Sequence, residues 1–235
     1  MIALKTATQR WFGQILPHLV AVTCFIGAPE IQCIAGESSW FIYYTAGVSG
    51  NFDGQHLHVP KGSSADIWES TWSYVRRIAI PNRDAWAIDA TVLFLSLGRG
   101  LTGPLDFQLP NVCYSKMNFA TSAGDAVKTS RPTNSWEQVG AKVNEGPVSD
   151  SSCASTGYSL GSLELNGLEP LLKSSWTKHD NGPIFEAASG NYAIRPGHNG
   201  FFTAPSGNIY IVYHASPTSS VTCDGNRRAM VQAVG

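Results

Sequence analysis

Apolar residues in this chain come in short bursts separated by Gly, Pro, Ser and Asn, and no stretch keeps an i, i+3, i+4 apolar pattern over several turns. The chain is therefore expected to be built from strands, with little helix. Two bursts resemble each other: Gly36 to Ala46 reads GESSWFIYYTA and Gly207 to Ala215 reads GNIYIVYHA. Each is a turn followed by an aromatic, β-branched run that ends in a small residue, as one strand of a hairpin would. A short polar anchor precedes each run: Ala28-Pro29-Glu30-Ile31 before the first and Gly197-His198-Asn199-Gly200-Phe201-Phe202 before the second. Two more anchors lie between them, Ala87-Ile88-Asp89-Ala90-Thr91-Val92-Leu93 and Asn144-Glu145-Gly146-Pro147.

The polar residues of the anchors, Glu30, Asp89, Glu145 and His198, are separated by 59, 56 and 53 positions. Near-constant spacing in a strand-rich chain points to a radial array of sheets, since a propeller blade with its loops takes about 40 to 50 residues. If each anchor opens the innermost strand of a blade, these groups face one central depression. A β-sandwich with four polar residues spaced by chance is the competing architecture. Two repeats look abridged. The Gly-rich stretch Gly98 to Gly103 stands where an aromatic strand is expected, and the segment from Glu145 to Leu163 has room for about one strand fewer than a full blade. No linker or composition shift divides the chain, so one domain is expected.

Composition narrows the picture. The 235 residues are 43% hydrophobic and only 14% charged, against about 25% charged in a typical soluble domain. Disorder is thus excluded as a description of the whole chain. Sixteen basic residues against seventeen acidic ones give a net charge of -1, so nothing supports electrostatic binding to nucleic acid or to an anionic membrane. The apolar stretch from Ile15 to Ala28 is shorter than the ~20 residues a membrane span needs, and as a secretory signal it is interrupted by Pro17 and His18. Five cysteines without a CxxC pair argue against a zinc site; Cys153 and Cys223 would be candidates to pair in an oxidising compartment. His56 and His58, two apart on one strand face, lack an evident third ligand.

The anchors also suggest a chemistry. Glycosidic bond hydrolysis needs one carboxylic acid to protonate the leaving oxygen and one carboxylate to activate water or attack the anomeric carbon. Glu145, flanked by Asn144 and Gly146-Pro147, sits where partial burial would keep a carboxyl group protonated. Asp89 follows Trp86, whose indole could offer a sugar-stacking face. A capping or turn role for either acid is the structural alternative, as a core role is for Trp40, Tyr43, Tyr44, Tyr213 and His198.

Six segments carry a family resemblance in their order and spacing: Ala28-Pro29-Glu30, Trp40 to Gly47, Arg83 to Asp89, Arg131-Pro132-Thr133-Asn134-Ser135-Trp136-Glu137, Asn144 to Pro147, and Gly197 to Phe202. Together they resemble glycoside hydrolase family 43, most nearly its arabinofuranosidase-like members. The resemblance covers residues 28–235 and leaves 1–27 as a non-matching segment. It implies a five-bladed β-propeller with its first blade incomplete or missing in this chain, and an inverting, extracellular hydrolase acting on arabinan, arabinoxylan or xylo-oligosaccharides through α-L-arabinofuranosyl or β-D-xylosyl linkages. By motif match, Glu145 resembles the general acid and Asp89 the residue that tunes its pKa and orients substrate. Trp86, His198 and either Arg227 or Arg228 fall where members contact substrate. His198 also resembles the axial histidine that supports a central ion or water. No cofactor is required by the resemblance, a structural calcium is allowed by it, and a monomer is expected. The family's general base is an Asp ahead of the segment matching Ala28-Pro29-Glu30, and residues 1–27 contain neither Asp nor Glu. A non-catalytic carbohydrate-binding propeller, or an inactive fragment, is therefore the alternative to a hydrolase.

Overall fold

A computed structural model of the chain describes residues 24–47, 54–83, 86–95, 98–105, 111–137, 157–220 and 226–234. It is all-β; among the described residues the only helical turns are short 3-10 segments. No helix in them is long and apolar enough to cross a membrane. The chain divides into two compact units, one within Met1–Phe107 and Cys113–Lys128, the other within Gln108–Val112 and Thr129–Gly235.

The first unit holds the sheet β1 (Cys24–Ile34), β2 (Ser39–Gly47), β3 (His56–Gly62) and β4 (Trp72–Ile78), in that order, and most of the sheet β5 (Thr91–Leu95), β6 (Gly98–Leu105), β7 (Asn111–Phe119) and β8 (Ser122–Ser130). The aromatic run of β2 pairs antiparallel with both β1 and β3. Both of its faces are covered, which is why it reads as an unbroken apolar run rather than an alternation. Phe41 and Tyr43 face a core shared with Val92, Cys113, Met117 and Ala123 of the other sheet, whereas Ile42, Tyr44 and Ala46 pack with Trp72. Hydrogen bonds add register to this apolar contact: the buried Tyr43 hydroxyl donates to the Ala120 carbonyl at 2.8 Å, and the Ala120 N–H donates to Glu37 Oε1 at 3.1 Å. Pro60 breaks the β3–β4 pairing at a bulge between Val59 and Pro60, the place where a strand tolerates a residue without an N–H.

The glycines from Gly98 to Gly103 do not replace a strand, contrary to the sequence expectation. They belong to β6, which pairs with β5 in continuous register from Thr91↔Thr102 to Leu95↔Gly98. A ladder is made by backbone N–H and C=O groups, which glycine retains; its missing side chain weakens a strand without forbidding it.

His58, in β3, is 6% exposed. Its Nδ1 lies 3.0 Å from the Tyr74 hydroxyl and its ring stacks on Tyr44. Burial, followed by the charges of His56 and Arg77, outweighs a backbone hydrogen bond with Ala46 and pushes the His58 imidazole down to about 4. The unfolded chain then binds this proton more readily than the folded one between the ordinary histidine value of 6.5 and about 4. The stability His58 contributes is thus complete above about 6.5 and is lost as the pH falls toward 4. Urea midpoints measured at falling pH are expected to drop more steeply for the wild type than for His58→Gln. Parallel curves would contradict this account.

In the second unit β9 (Leu163–Leu165) pairs with β10 (Trp176–Lys178), and β11 (Ile194–Thr203), β12 (Ile209–Ser216) and β13 (Arg228–Ala233) form a three-stranded antiparallel sheet. Ile211, Tyr213 and Ala215 alternate along β12 into a core with Leu160 and Ala193. The intervening positions 210, 212, 214 and 216 fall on the other face of β12, as a period of two requires. Three of the four anchors open a sheet as their spacing predicts: Glu30 lies in β1, Asp89 just ahead of β5, and His198 in β11. Glu145 lies outside the described residues, as do Cys153 and Cys223.

Candidate active site

The second unit assembles a compact polar cluster from two of the expected residues and several that the sequence did not single out. β11 is irregular where it carries its anchor. Its register against β12 shifts between Ile194 and Gly197 and again between Gly197 and Gly200, with Arg195 and His198 at φ of 55° and 49°. Such bulges re-aim a side chain, and a left-handed backbone at a non-glycine residue is the kind of strain that collects at functional sites. Here the His198 ring comes to lie on that of His214, with centroids 5.6 Å apart and planes 27° apart.

Arg227, just ahead of β13, closes the cluster. Its Nε–H donates to His214 Nδ1 at 2.7 Å, Nη1 donates to Ser216 Oγ at 3.0 Å, and Nη2 donates to the carbonyls of Arg195 and His214 at 2.7 and 2.8 Å. The guanidinium carbon stands 5.7 Å from the centre of the Tyr158 ring, a cation–π contact. Burial, then the charges of Arg227 and His198, push the His214 imidazole down to about 4, so it is neutral at physiological pH and accepts from the guanidinium. Arg228 differs from its neighbour. It begins β13 opposite Ala215 and is exposed, so Arg227 is the arginine that this sheet builds into a site.

Gly197 makes the packing feasible. A Cβ at this position would lie 2.0 Å from Tyr158 Cε1 and 2.4 Å from its Cζ, so any side chain here must displace the buried Tyr158 ring on which Arg227 rests. Gly197→Ala is expected to cost about 1–3 kcal/mol from overpacking, read as a lowered melting temperature. An unchanged melt would show that the ring moves aside freely.

In the first unit, Trp86, Ala87, Ile88 and Ala90 are buried, Trp86 to 5% exposure, while Asp89 among them is only half-buried. The segment is tethered by the Ala87 N–H, which donates to the Gln55 carbonyl at 3.0 Å. Asp89 has φ of 51°, a left-handed conformation that aspartate tolerates better than most residues. Asp89, ahead of β5, and His198, within β11, thus share a left-handed backbone. Glu30 accepts a hydrogen bond from Gln32 Nε2 at 2.8 Å. Among the described residues no group of three or more His, Cys, Asp or Glu side chains is placed to hold a metal ion.

His214, Tyr158 and Ser216 carried one faint sequence signal: a histidine inside the otherwise apolar strand Ile209 to Ala215. Nothing in the sequence marked Tyr158, whose role follows from the bare backbone of Gly197.

Polar anchors opening antiparallel sheets, with an arginine and paired histidines held rigidly on the last of them, fit an enzyme class that the sequence profile identifies. The chain belongs to glycosyl hydrolases family 43, whose profile matches residues 22–235. It is 31% identical over 231 residues to an extracellular exo-alpha-(1->5)-L-arabinofuranosidase of Streptomyces avermitilis, an alignment covering 89% of this chain and 47% of that protein. It is 30% identical to alpha-L-arabinofuranosidase 43 of Humicola insolens, covering 88% of this chain and 47% of that one. The chain spans about half the length of these curated relatives. The crystal structure of an alpha-L-arabinofuranosidase from Lactobacillus brevis superimposes with a TM-score of 0.77 at 25% identity, covering 88% of this chain and 72% of that one.

Proposed function

We propose that this chain acts as a glycoside hydrolase on α-L-arabinofuranosyl linkages of plant cell-wall polysaccharide, with β-D-xylosyl linkages as the alternative substrate class. The observation that carries the reading is the fixed fork of Arg227, set between His214, Ser216 and Tyr158 in a chain of family 43. A side chain held in one orientation by its neighbours in this way is what a binding site requires of the groups that meet its ligand. The arabinofuranosidase names of the relatives favour the arabinose form of the proposal.

In this reading Glu145 is the general acid, Asp89 tunes it and orients substrate, and Trp86, His198 and Arg227 contact the sugar, the sheets being blades of a five-bladed propeller. Water attacks the anomeric carbon as the bond to the leaving oxygen breaks. Glu145 gives its proton to that oxygen while a carboxylate base takes a proton from the water, and the anomeric configuration inverts. If an ion occupies the centre, His198 is the residue that would support it, with calcium the proposed species. Secretion and a monomeric state complete the proposal; the extracellular relatives support the first.

A second reading stands beside it because none of the residues assigned above is the general base, and positioned acid–base groups contribute about 10²- to 10⁴-fold each. The chain would then bind arabinan without cleaving it. Both readings are tested by adding the purified protein to linear arabinan and to the para-nitrophenyl α-L-arabinofuranoside and β-D-xylopyranoside, and following products by proton NMR. Release of arabinose as the β anomer supports inverting hydrolysis. Arabinan binding without release supports the second reading, and neither binding nor release overturns both.

A further inference from the structure

We propose that His214 is a positioning residue that fixes the orientation of the Arg227 guanidinium, an inference that rests on reading Arg227 as a sugar contact. The two grip each other at two points. The imidazole Nδ1 accepts from Arg227 Nε at 2.7 Å, and the His214 carbonyl accepts from Nη2 at 2.8 Å. The first contact sets the tautomer: Nδ1 supplies a lone pair to an obligate donor, so the proton of the neutral ring resides on Nε2. Ser216, two residues along the same face of β12, accepts from Nη1, and the Arg195 carbonyl takes a second hydrogen bond from Nη2. The Arg195 carbonyl is available there because β11 turns left-handed at that residue.

Among these acceptors His214 has a particular place. Among the described residues it is the acceptor at Nε, and a planar group held at Nε and at Nη2 cannot rotate about its long axis without breaking both bonds. Ser216, with a single rotatable hydroxyl, cannot impose that restraint. The ring also carries the His198 imidazole on its face, so one side chain of β12 sets the places of two proposed sugar contacts. A smaller residue at 214 would leave Arg227 charged and still bonded through Nη1 and Nη2, with its Nε–H deprived of the ring nitrogen and its plane less firmly held. Sugar affinity would suffer while the sheet stays intact.

Two measurements test this, and the first does not depend on activity. Nitrogen NMR of the histidine rings at neutral pH is expected to show His214 with Nδ1 unprotonated and accepting and Nε2 protonated, and the Nδ1 signature is expected to shift in Arg227→Met. A protonated Nδ1, or a signal unmoved by Arg227→Met, overturns the proposal whether or not the chain hydrolyses anything. The second compares His214→Asn, whose side-chain oxygen reaches the place of Nδ1, with His214→Leu, which offers no acceptor. With para-nitrophenyl α-L-arabinofuranoside, His214→Asn is expected to keep kcat/KM within about 3-fold, and His214→Leu to lose about 30-fold or more, chiefly through KM. Equal loss in two variants that both melt cooperatively would reduce His214 to a packing role. Complete inactivity of the wild type would count against the proposed hydrolase alone, leaving the NMR result to decide on His214.

Discussion

Glu145→Gln is expected to lower kcat on arabinan by about 10²- to 10⁴-fold while the melting temperature stays within a few degrees of the wild type. Glutamine keeps the size of the side chain but has no acidic proton to transfer to the leaving oxygen. The loss should depend on that leaving group. A sugar alkoxide is a poor leaving group and needs the proton as the bond breaks, whereas a dinitrophenolate departs unaided. Glu145→Gln should therefore be severely impaired on arabinan and only mildly on a dinitrophenyl arabinofuranoside, and its pH profile should lose the limb due to the acid. Equal impairment on both substrates would make Glu145 a binding group, and unchanged turnover on arabinan would remove it from the chemistry altogether.

The sequence carried a good part of this arrangement. The anchor pattern located the first strands of three sheets because a repeated supersecondary unit of nearly fixed length imposes its period on the chain. Glu30, Asp89 and His198 accordingly fall in or just ahead of β1, β5 and β11. The aromatic runs at β2 and β12 were legible because a strand flanked by neighbours on both sides needs bulky, stiff side chains. Reading the strand at Gly98 to Gly103 failed because side-chain pattern is a proxy for pairing, and glycine pairs through its backbone alone. What remained hidden in the site was conformational. The left-handed turns at Arg195 and His198 and the two register shifts of β11 depend on pairing with β12, some fifteen positions on. No local run of residues encodes the stacking of His198 on His214 or the choice of Arg227 over Arg228. The segment Arg131 to Glu137, which entered only as part of a resemblance, proves to be anchored by a buried ion pair.

Removing the carboxylate of Glu137 is expected to cost about 3–5 kcal/mol, the largest stability effect predicted for the described residues. Glu137 is fully buried, and one of its oxygens, Oε2, accepts the N–H groups of Thr133 and Asn134, each at 2.8 Å, together with the ammonium of Lys178. Lys178 is itself only 14% exposed and donates further to the Arg131 carbonyl at 3.0 Å and Thr133 Oγ1 at 2.9 Å. The pair thus ties a loop shortly ahead of Glu145 in the sequence to β10. Because Oε1 is buried with no hydrogen-bond partner among the described residues, the carboxylate gains little there, and its stabilising contacts all converge on Oε2. Glu137→Ala removes the counter-charge of Lys178 and the shared acceptor of two backbone N–H groups. Glu137→Gln can turn its carbonyl oxygen toward the same donors and should cost less, since only the charge is lost. Lys178→Met leaves a buried carboxylate uncompensated and should rank near Glu137→Ala. The double variant Glu137→Gln with Lys178→Met, retaining the oxygen for the two N–H groups and no net charge, should recover part of the loss, as a coupled pair does in a double-mutant cycle. For a chain of this size, 3–5 kcal/mol corresponds to a fall in melting temperature of about 10 °C. Strictly additive losses would mean that the two residues stabilise the loop independently, and a neutral Glu137→Ala would show that solvent reaches this oxygen.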